Sequence, residues 1–103
     1  MTIKLTEIQI VPVKPKDGLI AFVSFVMNES FFIGDVVIHS RIDQPGYMLV
    51  YPTKFLFNGL KINCFKPIKR EAAQAIEEQV LSEFDNLIEK VKKTEGIHYG
   101  QHD

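Results

Sequence analysis

Between Ala73 and Val91, apolar residues recur at three- and four-residue spacing: Ala73, Ile76, Val80, Phe84, Leu87 and Val91. On a helical wheel they form one stripe, widened by Leu81 and Ile88. The opposite face carries Glu71, Glu78, Ser82, Asp85 and Glu89. A one-sided helix of this length needs another layer to cover its stripe. The spacing predicts a helix that starts near Lys69 and stops near Gly96. Lys90, Lys92 and Lys93 then fall where the helix dipole favours cations. Residues 97–103 read as a loose tail.

The layer under the helix comes from upstream, where the pattern changes to strands. Ile3 to Val13 alternates and is rich in β-branched residues. Pro12 and Pro15 suggest an edge strand or the end of a strand, because proline donates nothing to a ladder. Lys16-Asp17-Gly18 is a turn. Leu19 to Met27 is an apolar run too short for a typical helix, and it reads as a central strand. Asn28-Glu29-Ser30 is a tight hairpin loop and Phe31 to His39 its partner. Arg41 to Gly46 is a polar turn, Tyr47 to Tyr51 a short strand stopped by Pro52. Thr53 to Gly59 reads as a loop and Leu60 to Lys66 as a last strand. The expectation is an α+β domain: an antiparallel sheet of about five strands followed by one long C-terminal helix, a single domain over 1–95 with a tail over 96–103.

The 103 residues suit one small core. Such a chain buries only about two-thirds of its surface on folding, so a second copy would add useful burial. No apolar run approaches the roughly 20 residues that cross a bilayer, and the N-terminus lacks the apolar stretch of a signal peptide. Cys64 is the single cysteine, which excludes an internal disulfide and a cysteine-based zinc site. A cytoplasmic protein that does not bind membranes is expected.

Net charge is −1, with 12 basic and 13 acidic residues, yet the signs are segregated. No acid lies between Asp43 and Glu71. That stretch holds Lys54, Lys61, Lys66, Lys69 and Arg70, interleaved with Tyr47, Tyr51, Phe55, Phe57 and Phe65. Phosphates need cations and unstacked bases need flat faces. Tyr47 and Phe65 sit at strand positions that equally suit a core. Phe55 and Phe57 sit in a loop, where a base or a dimer interface would cover them equally well. Lys69 and Arg70 oppose the helix dipole, at a cost of about 0.3–1 kcal/mol. The unsatisfied N–H groups of that turn attract anions, so the pair makes either a phosphate site or a weakly capped helix start met by water.

Catalytic signatures are missing. There is no Gly-rich phosphate loop, serine elbow or Cys/His pair. His98 and His102 stand at i and i+4 without a third ligand, a weak metal signal. Asp17, Asp35 and Asp43 have no evident nucleophile or base beside them, and His39 is most simply structural. No cofactor and no enzyme activity is expected.

Several runs resemble the stage V sporulation protein G (SpoVG) family, also known as septation proteins. They are Leu5-Thr6-Glu7-Ile8, the hairpin Asn28-Glu29-Ser30-Phe31-Phe32-Ile33, Gly46 to Lys54, Lys66-Pro67-Ile68, and Val80-Leu81-Ser82-Glu83-Phe84. They keep the family's order and spacing over about residues 5–84. The resemblance implies a small sheet-plus-helix domain that dimerises, binds DNA and in some cases RNA, and acts as a bacterial, non-enzymatic regulator. In the family a T-R-E-K run follows the H-P-I run and is implicated in nucleic-acid contact. Aligned without gaps, its Arg and Lys become Ala73 and Ala75 here, and two cations stand earlier, at Lys69 and Arg70. The family's His-Asp in the second hairpin strand is Gly34-Asp35.

Two functions follow as expectations. One is a homodimeric nucleic-acid-binding regulator that uses Lys54, Lys61, Lys66, Lys69, Arg70, Phe55 and Phe57. The other is a protein-interaction module on the same scaffold, suggested by the lost Arg and Lys and the acidic helix face.

Overall fold

In a computed structural model, the backbone is described for residues 2–102 and side chains for residues 2–92. Six strands precede one helix: β1 (Leu5–Lys16), β2 (Leu19–Met27), β3 (Phe31–Ser40), β4 (Tyr47–Val50), β5 (Thr53–Phe55), β6 (Lys61–Asn63) and α1 (Arg70–His102). The architecture is α+β, as the sequence leads one to expect. β1 to β4 form an antiparallel sheet in chain order, while β5 and β6 form a separate two-stranded ribbon.

Local chemistry sets the turns. Asp17 and Gly18 both have positive φ, as do Asn28 and Glu29. Two consecutive residues of this kind match the right-handed twist of flanking strands, so Asp17-Gly18 makes a two-residue hairpin and Asn28-Glu29 forms the centre of the three-residue loop that ends at Ser30. The Ser30 N–H donates to the Met27 carbonyl at 3.0 Å and closes the second one. β1 lies at the sheet edge, where its two prolines cost no ladder bonds.

Period-two alternation divides the sheet into two faces. Ala21, Val23 and Phe25 of β2, Ile33, Val36 and Ile38 of β3, and Leu49 of β4 point inward and are buried. α1 covers that face with Ile76, Val80 and Phe84, contacting β1 and β4. Tyr47 packs edge-on against Phe84, ring centroids 5.1 Å apart, so its strand position serves the core.

Four expectations change. The segment expected to be a loop over 53–59 contains β5. The expected strand Leu60–Lys66 shrinks to Lys61–Asn63 and pairs with β5 instead of joining the main sheet. The reason is the Asn58-Gly59 turn, a hairpin signal that binds β6 to its immediate predecessor. The buried stripe of α1 is also shorter than its periodicity: Ile76, Val80 and Phe84 are buried, whereas Val91 is 43% exposed. The helix runs through Gly96 to His102, since an interior glycine costs about 1 kcal/mol without forbidding a helix. The expected tail over 96–103, and with it His98 and His102, falls on residues whose side chains lie outside the described ones.

Candidate nucleic-acid interface

The β5–β6 ribbon forms an arm. Thr53 pairs with Asn63, Lys54 with Ile62 and Phe55 with Lys61. Directly paired residues share a face, so Phe55 and Lys61 stand together on one side and Lys54 and Ile62 on the other. The tip is a three-residue loop. The Leu56 N–H donates to the Leu60 carbonyl and the Gly59 N–H to the Leu56 carbonyl, both at 2.8 Å. Gly59 takes a φ of 84°, and the Asn58 Oδ1 accepts the Leu60 N–H at 3.0 Å. This is a turn closed by a glycine in the left-handed region. Its geometry pushes Phe57 outward until the side chain is fully exposed at 106%, with Phe55 at 69%. Apart from each other, β5 and β6 contact no strand or helix among the described residues.

The arm is held at its base. The Cys64 N–H donates to the Pro52 carbonyl at 3.0 Å, extending the ladder by one bond. The Tyr51 and Phe65 rings lie 5.8 Å apart and pack against the core. Burial of Tyr51, and secondarily the Glu77 carboxylate, push its phenol up to about 12. Glu77 also meets the Arg41 guanidinium at 3.4 Å. Phe65 thus secures the arm and is not available as a flat surface for a base.

All five cations, Lys54, Lys61, Lys66, Lys69 and Arg70, are exposed, and none pairs with an acid among the described residues. Lys54 and Lys61 are on the arm, Lys66 follows it, and Lys69 and Arg70 open α1. At that end the Ala73 N–H donates to the Lys69 carbonyl at 3.0 Å, and no side chain caps the first turn among the described residues. A hollow of about 260 Å³ beside it is lined by Ile3, Lys69, Glu71, Ala72 and Ala75. The small Ala75 leaves that space open where the resemblance places a lysine. The five cations are thus exposed on the arm, just after it and at the start of α1, whereas the exposed face of α1 carries Glu78, Asp85 and Glu89.

The arm itself escaped the sequence reading, although Asn58-Gly59 was the signal for it. Gln79 was also missed. It joins α1 to β1 through its side-chain amide, and a lone glutamine on a helix carries no pattern that announces such a role. Among the described residues, no three His, Cys, Asp or Glu side chains gather as metal ligands. No helix is long and apolar enough to cross a membrane.

A four-stranded antiparallel sheet covered on one side by a helix, with a separate two-stranded ribbon, defines a small α+β domain. The chain belongs to the SpoVG family, whose family model matches residues 3–86. No curated protein sequence matches it.

Proposed function

We propose that this chain is a homodimeric, non-enzymatic regulator that binds DNA or RNA in the cytoplasm through the arm and the start of α1. The observation that carries the reading is the set of five exposed cations, unpaired among the described residues, in a stretch without a single acid. Lys54, Lys61, Lys66, Lys69 and Arg70 would meet phosphates, and each contact releases counterions. Phe55 and Phe57 offer the flat faces on which unstacked bases rest, at about 1–3 kcal/mol per base. The exposed acids of the α1 body, Glu78, Asp85 and Glu89, would repel phosphates, so the helix body is not part of the proposed contact. Family membership supports the same reading.

The test is a fluorescence-anisotropy titration with single- and double-stranded oligonucleotides across a range of salt. Binding should weaken steeply as salt rises, and Lys69→Ala with Arg70→Ala should weaken it for all sequences alike. No binding to mixed DNA or RNA at low ionic strength would sink the proposal.

A second reading, a protein-interaction module, is favoured by Ala73 and Ala75 in place of the family's Arg and Lys. A stoichiometric protein partner retained after nuclease treatment, with no oligonucleotide binding, would select it.

A further inference from the structure

The face of the main sheet turned away from α1 carries one polar row set between two apolar ones. Val11 pairs with Phe22, Phe22 with Val37 and Val37 with Val50, so one apolar row crosses all four strands. On the far side Val26 pairs with Phe32. Between them Gln9 pairs with Ser24, and Gly34 and Asp35 bulge opposite Ser24, where β2 and β3 shift register. The Phe32 ring lies against Gly34, where an added Cβ would meet it at 3.1 Å. Asp35 takes a φ of 59° and, with Gln9, Val11, Phe22 and Ser24, lines an open hollow of about 290 Å³. Asp35 is the one charged residue of that lining. Among the described residues, the side chains of Gln9, Ser24 and Asp35 have no hydrogen-bond or ion-pair partner.

We propose that this hollow takes one unstacked guanine base of a single-stranded nucleic acid. Phe22, 40% exposed, offers the base a flat face. The Asp35 carboxylate accepts the guanine N1–H and N2–H together. Guanine presents these two donors side by side on its Watson–Crick edge, and a carboxylate has two acceptors and no donor. Adenine and cytosine set an acceptor next to their exocyclic donor, and thymine flanks its N–H with two carbonyls, which a carboxylate repels. The Gln9 amide and the Ser24 hydroxyl both donate and accept, which suits the neighbouring O6 and N7 acceptors. The volume agrees: a cavity of roughly 150 Å³ holds benzene, and this hollow has room for two fused rings. The carboxylate repels phosphate, so the hollow takes a base and not the backbone. A duplex keeps the Watson–Crick edge paired, so the site selects single strands. An arginine of a protein partner also stacks and pairs with a carboxylate, but it has no acceptor for the donors of Gln9 and Ser24. The inference rests on the nucleic-acid reading and adds a separate site that uses neither the arm nor the helix-start cations.

Asp35→Asn removes the carboxylate and keeps the bulge, because asparagine tolerates the left-handed region as aspartate does. The full-length chain is titrated by fluorescence anisotropy with oligothymidylate carrying a central guanosine, inosine or thymidine. The parent is expected to bind the guanosine strand at least about fivefold tighter than the thymidine strand. The inosine strand is expected in between, because inosine lacks the N2 amine. Asp35→Asn is expected to bind the thymidine strand like the parent and to lose the guanosine preference. Phe22→Ala is expected to bind the guanosine strand about fivefold or more weakly. Circular dichroism checks that both variants fold. Equal affinities of the parent for the three strands, or a preference that survives Asp35→Asn, overturn the inference and leave the nucleic-acid reading standing. Guanosine monophosphate added to the isotope-labelled chain tests the hollow without a polynucleotide backbone. Amide resonances of Gln9, Ser24 and Asp35 are expected to shift in the parent and to stay in place in Asp35→Asn. If no strand binds at low salt, the nucleic-acid reading falls, and the inference falls with it unless guanosine monophosphate still moves those three resonances. Shifts there with acetyl-arginine amide and none with guanosine monophosphate assign the hollow to a protein partner and overturn the inference as well.

Discussion

The side-chain amide of Gln79 takes the place of a strand neighbour for Leu5. Its Oε1 accepts the Leu5 N–H at 2.9 Å, and its Nε2 donates to the Ile3 carbonyl at 2.8 Å and to the Ala75 carbonyl at 3.0 Å. A helix side chain thereby satisfies the first backbone groups of an edge strand. Gln79→Leu leaves those groups half-buried without partners, so a loss of about 1–3 kcal/mol is expected. Urea denaturation should show a lower midpoint with an unchanged slope.

Core burial gives a sharper contrast along the chain. Phe25 is fully buried between the sheet and α1, whereas Val91 lies on the same helical stripe as Phe84 yet is exposed. Phe25→Ala should cost about 3–5 kcal/mol through the cavity it leaves. Val91→Ala should stay within about 0.5 kcal/mol of the parent, as surface changes do. Equal effects in thermal melts would refute the truncated stripe.

Gly18 is constrained twice over. It has a φ of 88°, and a Cβ there would lie 2.3 Å from Cε1 of His39. The His39 ring is itself held, its Nδ1 2.7 Å from the Ser40 carbonyl oxygen. Gly18→Ala should destabilise by more than about 1 kcal/mol, since the strain adds to the clash. A melting temperature equal to the parent's would count against this packing.

Tyr51 should make stability fall in strong base. Its phenol is raised from 10.0 to about 12, so the folded state holds this proton more tightly than the unfolded chain. The contribution is whole below pH 10 and is lost as pH climbs towards 12. Glu77→Gln should lower the phenol only in part, because burial is the larger cause. Comparing denaturation of parent and Tyr51→Phe at neutral pH and in that window isolates the effect. A constant difference would contradict it.

Restoring the cations that the family carries offers a gain of function. With the nucleic-acid reading, Ala73→Arg together with Ala75→Lys should tighten oligonucleotide binding. It should also steepen the salt dependence by up to about two, one for each new phosphate contact. A slope unchanged by both substitutions would place the bound strand away from the helix start.

How much of this was readable beforehand differs from element to element. β2 and β3 were plain, since unbroken apolar runs between turn residues leave little choice but central strands. The core stripe from Ile76 to Phe84 was plain because helical periodicity is local. The five cations were visible as a charge run, but not that β5 and β6 lift Lys54 and Lys61 off the main sheet. Phe55 and Phe57 were visible as aromatics whose burial could go either way.

The sequence by itself determined the class of fold, the restriction that two prolines place on β1, the covered face of α1 and the segregation of charge. Each follows from side-chain period, proline chemistry or composition, which act over a few residues. The tertiary structure decided that β6 pairs only with β5, that the buried stripe of α1 ends before Val91, that Gln79 clasps Leu5, and that Tyr51 lies between burial and Glu77. These depend on which distant segments meet, and that is settled by loop closure and packing across the whole chain rather than by any local pattern.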